Sequence, residues 1–236
     1  RAQGARQYWQ DQFHWRVLET VPAWAPSAPM GCVIKDGLSA LLFPRQATQA
    51  LAAAVRARGG TVVPDCPAQG VTLWATGVAG LAALSAGRTR SAGNGVKGQA
   101  ALLDFAAPRS PQFFVDGLHI IPHADGTTAI GSTSEREYED ATSTDEQLDG
   151  LIERAHQALP ALRNATVLER WAATRPRSRS RAPMLGEHPI YHGQFIANGG
   201  FKIGFGMAPK VAEVMADLVL EGRDQIPVGF RPDASL

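Results

Sequence analysis

The 236 residues suffice for one large domain or two lobes, and a hydrophobic content of 44% is ordinary for a globular protein. The formal net charge of +1 argues against a nucleic-acid interface, and no apolar run reaches about 18 residues, so we expect no membrane span. Two cysteines do not make a disulfide framework, and we expect a cytoplasmic protein.

Two helices are predicted in the first quarter of the chain. Trp9, Phe13 and Val17 recur at four-residue spacing, which predicts a helix over residues 6–19, and a proline-rich connector follows at residues 22–29. An alanine-rich helix is then predicted over residues 44–58, where a glycine pair ends it. Its apolar positions form a stripe that we expect to be buried: Ala47, Leu51, Ala54 and Val55.

Strands and a third helix are predicted in the middle of the chain. Strands cluster at residues 112–132 and 167–197, and residues 144–147 (Thr-Asp-Glu-Gln) match a capping box that starts a helix between these clusters. The apolar positions of that helix share one face: Leu148, Ile152, Ala155 and Leu159. Helices flanking a largely antiparallel sheet predict an α+β fold.

A glycine-rich loop near the C-terminal end carries the strongest functional signal. It follows a short apolar strand at residues 194–197 and precedes an amphipathic helix predicted to begin at Pro209 and end at Gly222. A glycine loop before a helix N-terminus exposes backbone N–H groups to an electron-rich or anionic ligand. The alternative is a strand–turn–helix unit that only packs.

Residues 197–209 (Ala-Asn-Gly-Gly-Phe-Lys-Ile-Gly-Phe-Gly-Met-Ala-Pro) resemble the C-terminal flavin loop of the D-amino acid oxidase and glycine oxidase family. Gly200 stands where that family usually has histidine, and Lys202 where arginine is common. Residues 73–77 (Leu-Trp-Ala-Thr-Gly) resemble a strand end near the cofactor, and residues 96–99 (Val-Lys-Gly-Gln) resemble a turn that opens a strand of the substrate domain.

Two more segments resemble substrate-binding motifs of the family. Residues 171–176 (Trp-Ala-Ala-Thr-Arg-Pro) resemble the Arg-Pro motif, so the resemblance implies that Arg175 holds a substrate carboxylate, which a guanidinium can bind bidentately. Residues 114–132 resemble a hairpin in which His119 replaces a pocket tyrosine. Alternation along an extended chain would place three other arginines on the face of Arg175, and we expect them at the surface: Arg177, Arg179 and Arg181.

The resemblance implies an FAD-dependent oxidase or dehydrogenase that oxidises the C–N bond of an amino acid or secondary amine by hydride transfer to noncovalent FAD. It assigns substrate binding to Arg175 and His119, and no further side chain to catalysis. The implied cofactor-binding residues are Ala75, Gly77, Gly199, Gly200, Lys202, Ile203, Gly204 and Phe205. Histidines 119/123 and 188/192 have helical spacing, but a proline inside each pair argues against a metal site.

The dinucleotide-binding motif of the family is not visible in the sequence. The only Gly-x-Gly-x-x-Gly, residues 93–98, is rejected because a polar segment precedes it and no crossover helix can follow it. We therefore predict a remnant of the FAD-binding region at residues 1–78, a substrate domain at 79–190, and a flavin loop and returning helix at 191–236. Counting the missing nucleotide-binding domain makes the fold α/β.

Three interpretations of the chain stay open at this point. One is a parent enzyme with an additional N-terminal dinucleotide domain, and the second is a flavin-free binding module. The third is a subunit completed by a nucleotide-binding partner; a homo-oligomer is a further form that the protein could take. The partner implied by the resemblance is a small amino acid or amine.

Overall fold

The computed structural model describes residues 13–19, 25–26, 28 and 30–236. Its elements in chain order are β1 (Arg16–Leu18), β2 (Val33–Lys35), α1 (Pro44–Ala57), β3 (Leu73–Trp74), α2 (Gly77–Ser85), β4 (Gly93–Leu103), β5 (Phe113–Val115), β6 (Leu118–Pro122), β7 (Thr128–Gly131), α3 (Glu146–Ala158), β8 (Val167–Ser178), β9 (Met184–Glu187), β10 (Phe195–Asn198) and α4 (Gly204–Glu221). These helices and largely antiparallel strands confirm the predicted α+β class.

The chain divides into two compact units. The first comprises the described parts of 1–63 with 99–133 and 144–171, and the second comprises 64–98, 134–143 and 172–236. No helix in the described part of the chain is both long enough and apolar enough to cross a membrane.

The first unit is built on a five-stranded sheet of order β5-β6-β7-β4-β8. The hairpin expected within residues 114–132 is confirmed, because β6 and β7 pair antiparallel with Ile120 opposite Ile130. Helix α3 covers one face of the sheet, as its predicted apolar face requires. The core between the sheet and α3 consists of these buried side chains: Ala101, Leu103, Leu118, Ile120, Ile130, Leu148, Leu151, Ile152, Ala155, Leu159 and Leu162.

The N-terminus of α3 is capped one residue later than the capping-box pattern predicts. Asp145, not Thr144, is the N-cap, because its Oδ1 accepts the backbone N–H of Gln147 at 2.9 Å. The same oxygen accepts Nε2 of the fully buried Gln99 at 2.8 Å, and the Asp145 N–H donates to Gln99 Oε1 at 2.9 Å. Asp145 therefore ties the helix to the sheet.

Asp145→Ala is expected to lower the free energy of unfolding by about 2–3 kcal/mol, measured by urea unfolding. Losing the cap costs about 1 kcal/mol, and removing a partner from a buried amide costs about 1–3 kcal/mol. Glu146→Ala is the control, because Glu146 is exposed in the first turn of α3 and removing it should cost only a few tenths of a kcal/mol. Equal losses in the two variants would contradict the role of Asp145.

The second unit contains a three-stranded sheet of order β3-β10-β9, in which β10 is parallel to β3 and antiparallel to β9. One side of this unit is packed around Leu81, Leu84, Met184 and Ile196. On the other, the predicted apolar face of α4 is confirmed, because Val214 and Met215 are buried and Val211 and Leu218 pack beside them. Gly222 ends α4 as predicted, with φ +68° in the left-handed region.

Four local predictions are wrong. Residues Arg16–Leu18 form a strand paired with β2 instead of the end of a helix, while residues 6–12 and most of the connector 22–29 lie outside the described residues. Residues 96–99 lie inside β4 and form no turn, because they pair with a neighbouring chain segment. Helix α1 is confirmed, but none of its residues is buried: of the predicted stripe, Ala47 and Ala54 are half-buried and Leu51 and Val55 are exposed.

The fourth error concerns the start of α4, which is Gly204 and not Pro209. Proline has no N–H, so Pro209 in the sixth position leaves the carbonyl of Phe205 without a helical bond from it. The chain is already helical before Pro209, because the 3-10 turn Phe201–Ile203 leads into α4 and brings Gly200 against Gly204, where a Cβ on Gly200 would lie 3.0 Å from the Gly204 Cα.

Candidate functional site

Two helix N-termini meet the same edge of the sheet in the second unit. Strands β3 and β10 run parallel, with Trp74 opposite Ile196, so their carboxyl ends lie side by side. Helix α2 starts at Gly77 after β3, and α4 starts at Gly204 after β10. Neither N-cap residue caps its helix with a side chain. A 3-10 turn, Phe201–Ile203, leads directly into α4. Helix N-termini without side-chain caps at this edge of an α/β sheet are where N–H groups can face a ligand.

Asn198 joins the two predicted cofactor-binding segments. Its Nδ2 donates to the carbonyl of Gly77 at 2.9 Å, and its Oδ1 accepts the N–H of Gly199 at 2.7 Å. A Cβ at Gly80 would stand 3.0 Å from the same Nδ2, so the first turn of α2 is held close to Asn198. The structure thus brings residues 75–77 and 199–205 together, and Asn198 is a contact that the sequence did not reveal.

The predicted cofactor residues divide into glycines that are buried (Gly199) or half-buried (Gly77, Gly200, Gly204) and exposed side chains. Gly199 is buried with φ +74°, and a Cβ there would overlap the Ser178 hydroxyl. That hydroxyl is itself fully buried and has no hydrogen-bond partner in the described part of the chain. Ala75, Lys202, Ile203 and Phe205 are instead exposed around the two helix N-termini. The glycines shape the loop, and the exposed residues form its outer surface.

Strand β8 runs beside the glycine loop and places one unexpected arginine there. Arg177 pairs with Gly200 in an antiparallel bridge, and its Cζ lies 5.7 Å from the centre of the Phe201 ring. Lys202 Nζ approaches the same ring at 5.6 Å. Cations over an aromatic face are attracted by its quadrupole. Arg177 is therefore half-buried against the loop, where the sequence predicted a surface residue.

The four alternating arginines do not share one face, because β8 ends at Ser178. Arg179 leaves the strand and donates through Nε to the carbonyl of Ser235 at 3.1 Å. Arg181 is exposed in a turn with φ +70°. Only Arg175 and Arg177 remain on the strand, two positions and about 6.6 Å apart along it.

Arg175 occupies a slot formed by strand β4. Its Nη1 donates to the carbonyl of Lys97 at 3.5 Å, and a Cβ at Gly98 would overlap the guanidinium. Burial lowers the pKa of Arg175, and the charge of Glu135 raises it again. Glu135 is buried and pairs with the buried Lys97, with 3.7 Å between Oε2 and Nζ. Neither Lys97 nor Glu135 was assigned a role from the sequence.

His119, the other predicted substrate residue, lies in the first unit. Its side chain is exposed on β6, and its ring is tilted against Phe114 with 4.6 Å between ring centres. It therefore belongs to a different unit from Arg175 and the predicted cofactor residues, which are all in the second unit. His119 and His123 belong to strand and turn, not to one helix face, and the described residues contain no group of three metal-binding side chains.

Comparison with known proteins gives one family. A model of the family described as FAD dependent oxidoreductase matches residues 1–218. Among curated proteins, the glycine oxidase of Pseudomonas aeruginosa is 35% identical over 144 residues, which is 60% of this chain and 39% of that protein. The glycine oxidase of Pseudomonas putida is 34% identical over the same length and shares. The chain thus spans about two fifths of these relatives.

Solved structures agree with this result. The glycine oxidase of Geobacillus kaustophilus matches with a TM-score of 0.59 and 26% identity, over 68% of this chain and 44% of that one. The L-amino acid deaminase of Proteus vulgaris matches 98% of this chain and 72% of its own, with a TM-score of 0.74. At 13% identity, the second match establishes a shared fold alone.

Proposed function

This chain belongs to the family of FAD-dependent oxidoreductases, and on that premise we propose that it holds the flavin and the substrate carboxylate of an amino acid or amine oxidoreductase. The observation that carries the proposal is the pair of uncapped helix N-termini at the carboxyl edge of β3 and β10. The whole protein would oxidise a C–N bond, and a small amino acid is the substrate class that its glycine oxidase relatives suggest.

The residues at this edge fit FAD. The cofactor offers electron-rich oxygen and nitrogen atoms, and the first turns of α2 and α4 offer N–H donors with the positive ends of their dipoles. Gly77 and Gly204 have open space where a Cβ would stand, so the backbone can be approached closely. Exposed Ala75, Lys202 and Phe205 would border the cofactor. FAD, when bound, supplies the acceptor for the substrate hydride.

The residues of this chain would place the substrate. Arg175 would bind the carboxylate and so orient the carbon that bears nitrogen, which lowers the entropic part of the barrier. Lys202 and the N–H groups of the α4 first turn would stabilise negative charge that develops next to them. Within the proposal, residues 1–78 and 191–236 serve the cofactor and 79–190 the substrate.

A flavin-free binding module, the alternative from the sequence, has less support. It was favoured by the departures at Gly200 and Lys202 and by the missing dinucleotide motif. The family match covers the glycine loop, and the two curated Pseudomonas relatives described above are glycine oxidases. A lysine keeps the positive charge of the arginine that it replaces, so this departure preserves the electrostatics of the loop.

The test is flavin retention by the purified chain. After FAD is added and the protein is desalted, we expect visible flavin absorption to remain. Lys202→Gln is expected to weaken FAD binding up to about fivefold, since an exposed pair of opposite charges contributes about 0.2–1 kcal/mol. Lys210→Gln is the matched control, because Lys210 lies on α4 outside the loop and pairs with Glu213. A protein that never retains FAD would contradict the proposal.

A further inference from the structure

A buried ion pair lies on the strand that carries the Arg175 slot. Lys97 and Glu135 are 2% and 8% exposed, and two reciprocal backbone hydrogen bonds of 2.9 Å lock them together. Their side-chain charges approach to 3.7 Å. Removing two charges from water costs about as much as their attraction returns, so a buried pair is weak evidence for a purely stabilising role.

Three features of the paired segments at Lys97 and Glu135 act on the guanidinium of Arg175. The carbonyl of Lys97 accepts the N–H of Arg175 Nη1, and Gly98 presents bare backbone to the flat side of the group. The Glu135 carboxylate supplies the opposite charge that favours the protonated arginine. Hydrogen bond, shape and charge therefore all come from the paired segments at Lys97 and Glu135.

We propose that Glu135, anchored by Lys97, is a positioning residue that orients Arg175 toward a carboxylate ligand. An arginine side chain loses rotamer freedom when it binds a ligand, and a preformed slot lowers that cost. The Lys97 ammonium group and the backbone pairing hold the Glu135 carboxylate in position, so its negative charge stays near Arg175. The inference rests on the carboxylate-binding role proposed for Arg175.

The test is binding of glycolate, a small carboxylate, compared with its uncharged analogue glycolamide, by calorimetry on the full chain. Wild type is expected to prefer glycolate, and Arg175→Ala should abolish that preference. The double variant Lys97→Met/Glu135→Met removes both charges and leaves neither one buried alone. It should bind glycolate about tenfold more weakly, because the guanidinium keeps its hydrogen bond to the Lys97 backbone but loses the Glu135 charge that helps to hold it in the slot.

Two further variants separate positioning from folding. Glu135→Asp keeps the charge and should recover part of the preference, while Glu137→Gln removes an exposed carboxylate two residues away and should leave binding unchanged. Thermal unfolding of each variant reports whether it is folded. If the double variant does not fold, Gly98→Ala replaces it, because it keeps both charges and should still weaken glycolate binding by displacing the guanidinium.

The outcomes distinguish this inference from the proposed function. If wild type and Arg175→Ala bind glycolate equally, the carboxylate role of Arg175 fails, and positioning by Glu135 falls with it. If Arg175→Ala loses the preference but folded double and Gly98→Ala variants keep wild-type affinity, only the positioning inference is overturned. Weaker glycolate binding by Arg175→Ala and by the folded double or Gly98→Ala variant, with unchanged binding by Glu137→Gln, supports the positioning inference.

Discussion

Gly199→Ala is expected to lower the free energy of unfolding by about 3 kcal/mol, because the backbone and the packing both require glycine there. A φ of +74° costs a residue with a Cβ about 1–2 kcal/mol, and forcing extra atoms into a packed interior costs about 1–3 kcal/mol. The new methyl group would overlap the buried Ser178 hydroxyl. Urea unfolding measures the loss.

Two companion variants identify the cause of that loss. Gly199→Ala/Ser178→Gly removes the overlapping side chain and should recover the packing part of the loss, leaving the cost of the positive φ. Gly206→Ala adds a methyl group in the same segment, where nothing lies within 4 Å and the helix continues, so stability should rise by about 0.5–1 kcal/mol. An unfolding midpoint for Gly199→Ala equal to that of wild type would contradict the argument.

Local chemistry explains which elements could be predicted. The β6–β7 hairpin follows from alternating apolar residues around Asp125-Gly126, and the α3 face follows from helical spacing. Both depend on neighbours within about 20 residues. The same logic correctly rejected residues 93–98 as a dinucleotide motif, because those residues form strand β4.

Long-range pairing explains what the sequence concealed. Lys97 and Glu135 meet across 38 positions of chain, and no local pattern indicates that they share a buried bridge. Proline at the first helical position is a sound rule, yet α4 begins at Gly204 because a 3-10 turn, which the glycine-rich sequence does not indicate, leads into it before Pro209. Arg177 was expected at the surface since its partner Phe201 lies in a loop whose course depends on tertiary contacts.

Substitution of Arg175 is expected to change substrate binding more than substitution of any residue in the glycine loop. In the FAD-loaded enzyme, Arg175→Ala should raise KM for a carboxylate substrate such as glycine about 10- to 100-fold. The estimate follows because a charge-assisted hydrogen bond contributes about 1.5–3 kcal/mol and about 1.4 kcal/mol corresponds to tenfold. Methylamine, which lacks the carboxylate, should be affected far less. Steady-state kinetics with both substrates measures the difference.

Control variants distinguish carboxylate binding from a general effect of lost charge. Arg136→Ala removes an exposed arginine from the same unit and should leave both KM values unchanged. Arg175→Lys keeps the charge but loses the bidentate fork, so it should fall between wild type and alanine. Equal increases in KM for glycine and methylamine would contradict carboxylate binding. Such a result would mean that Arg175 supports the loop through β8, which pairs with Gly200 through Arg177.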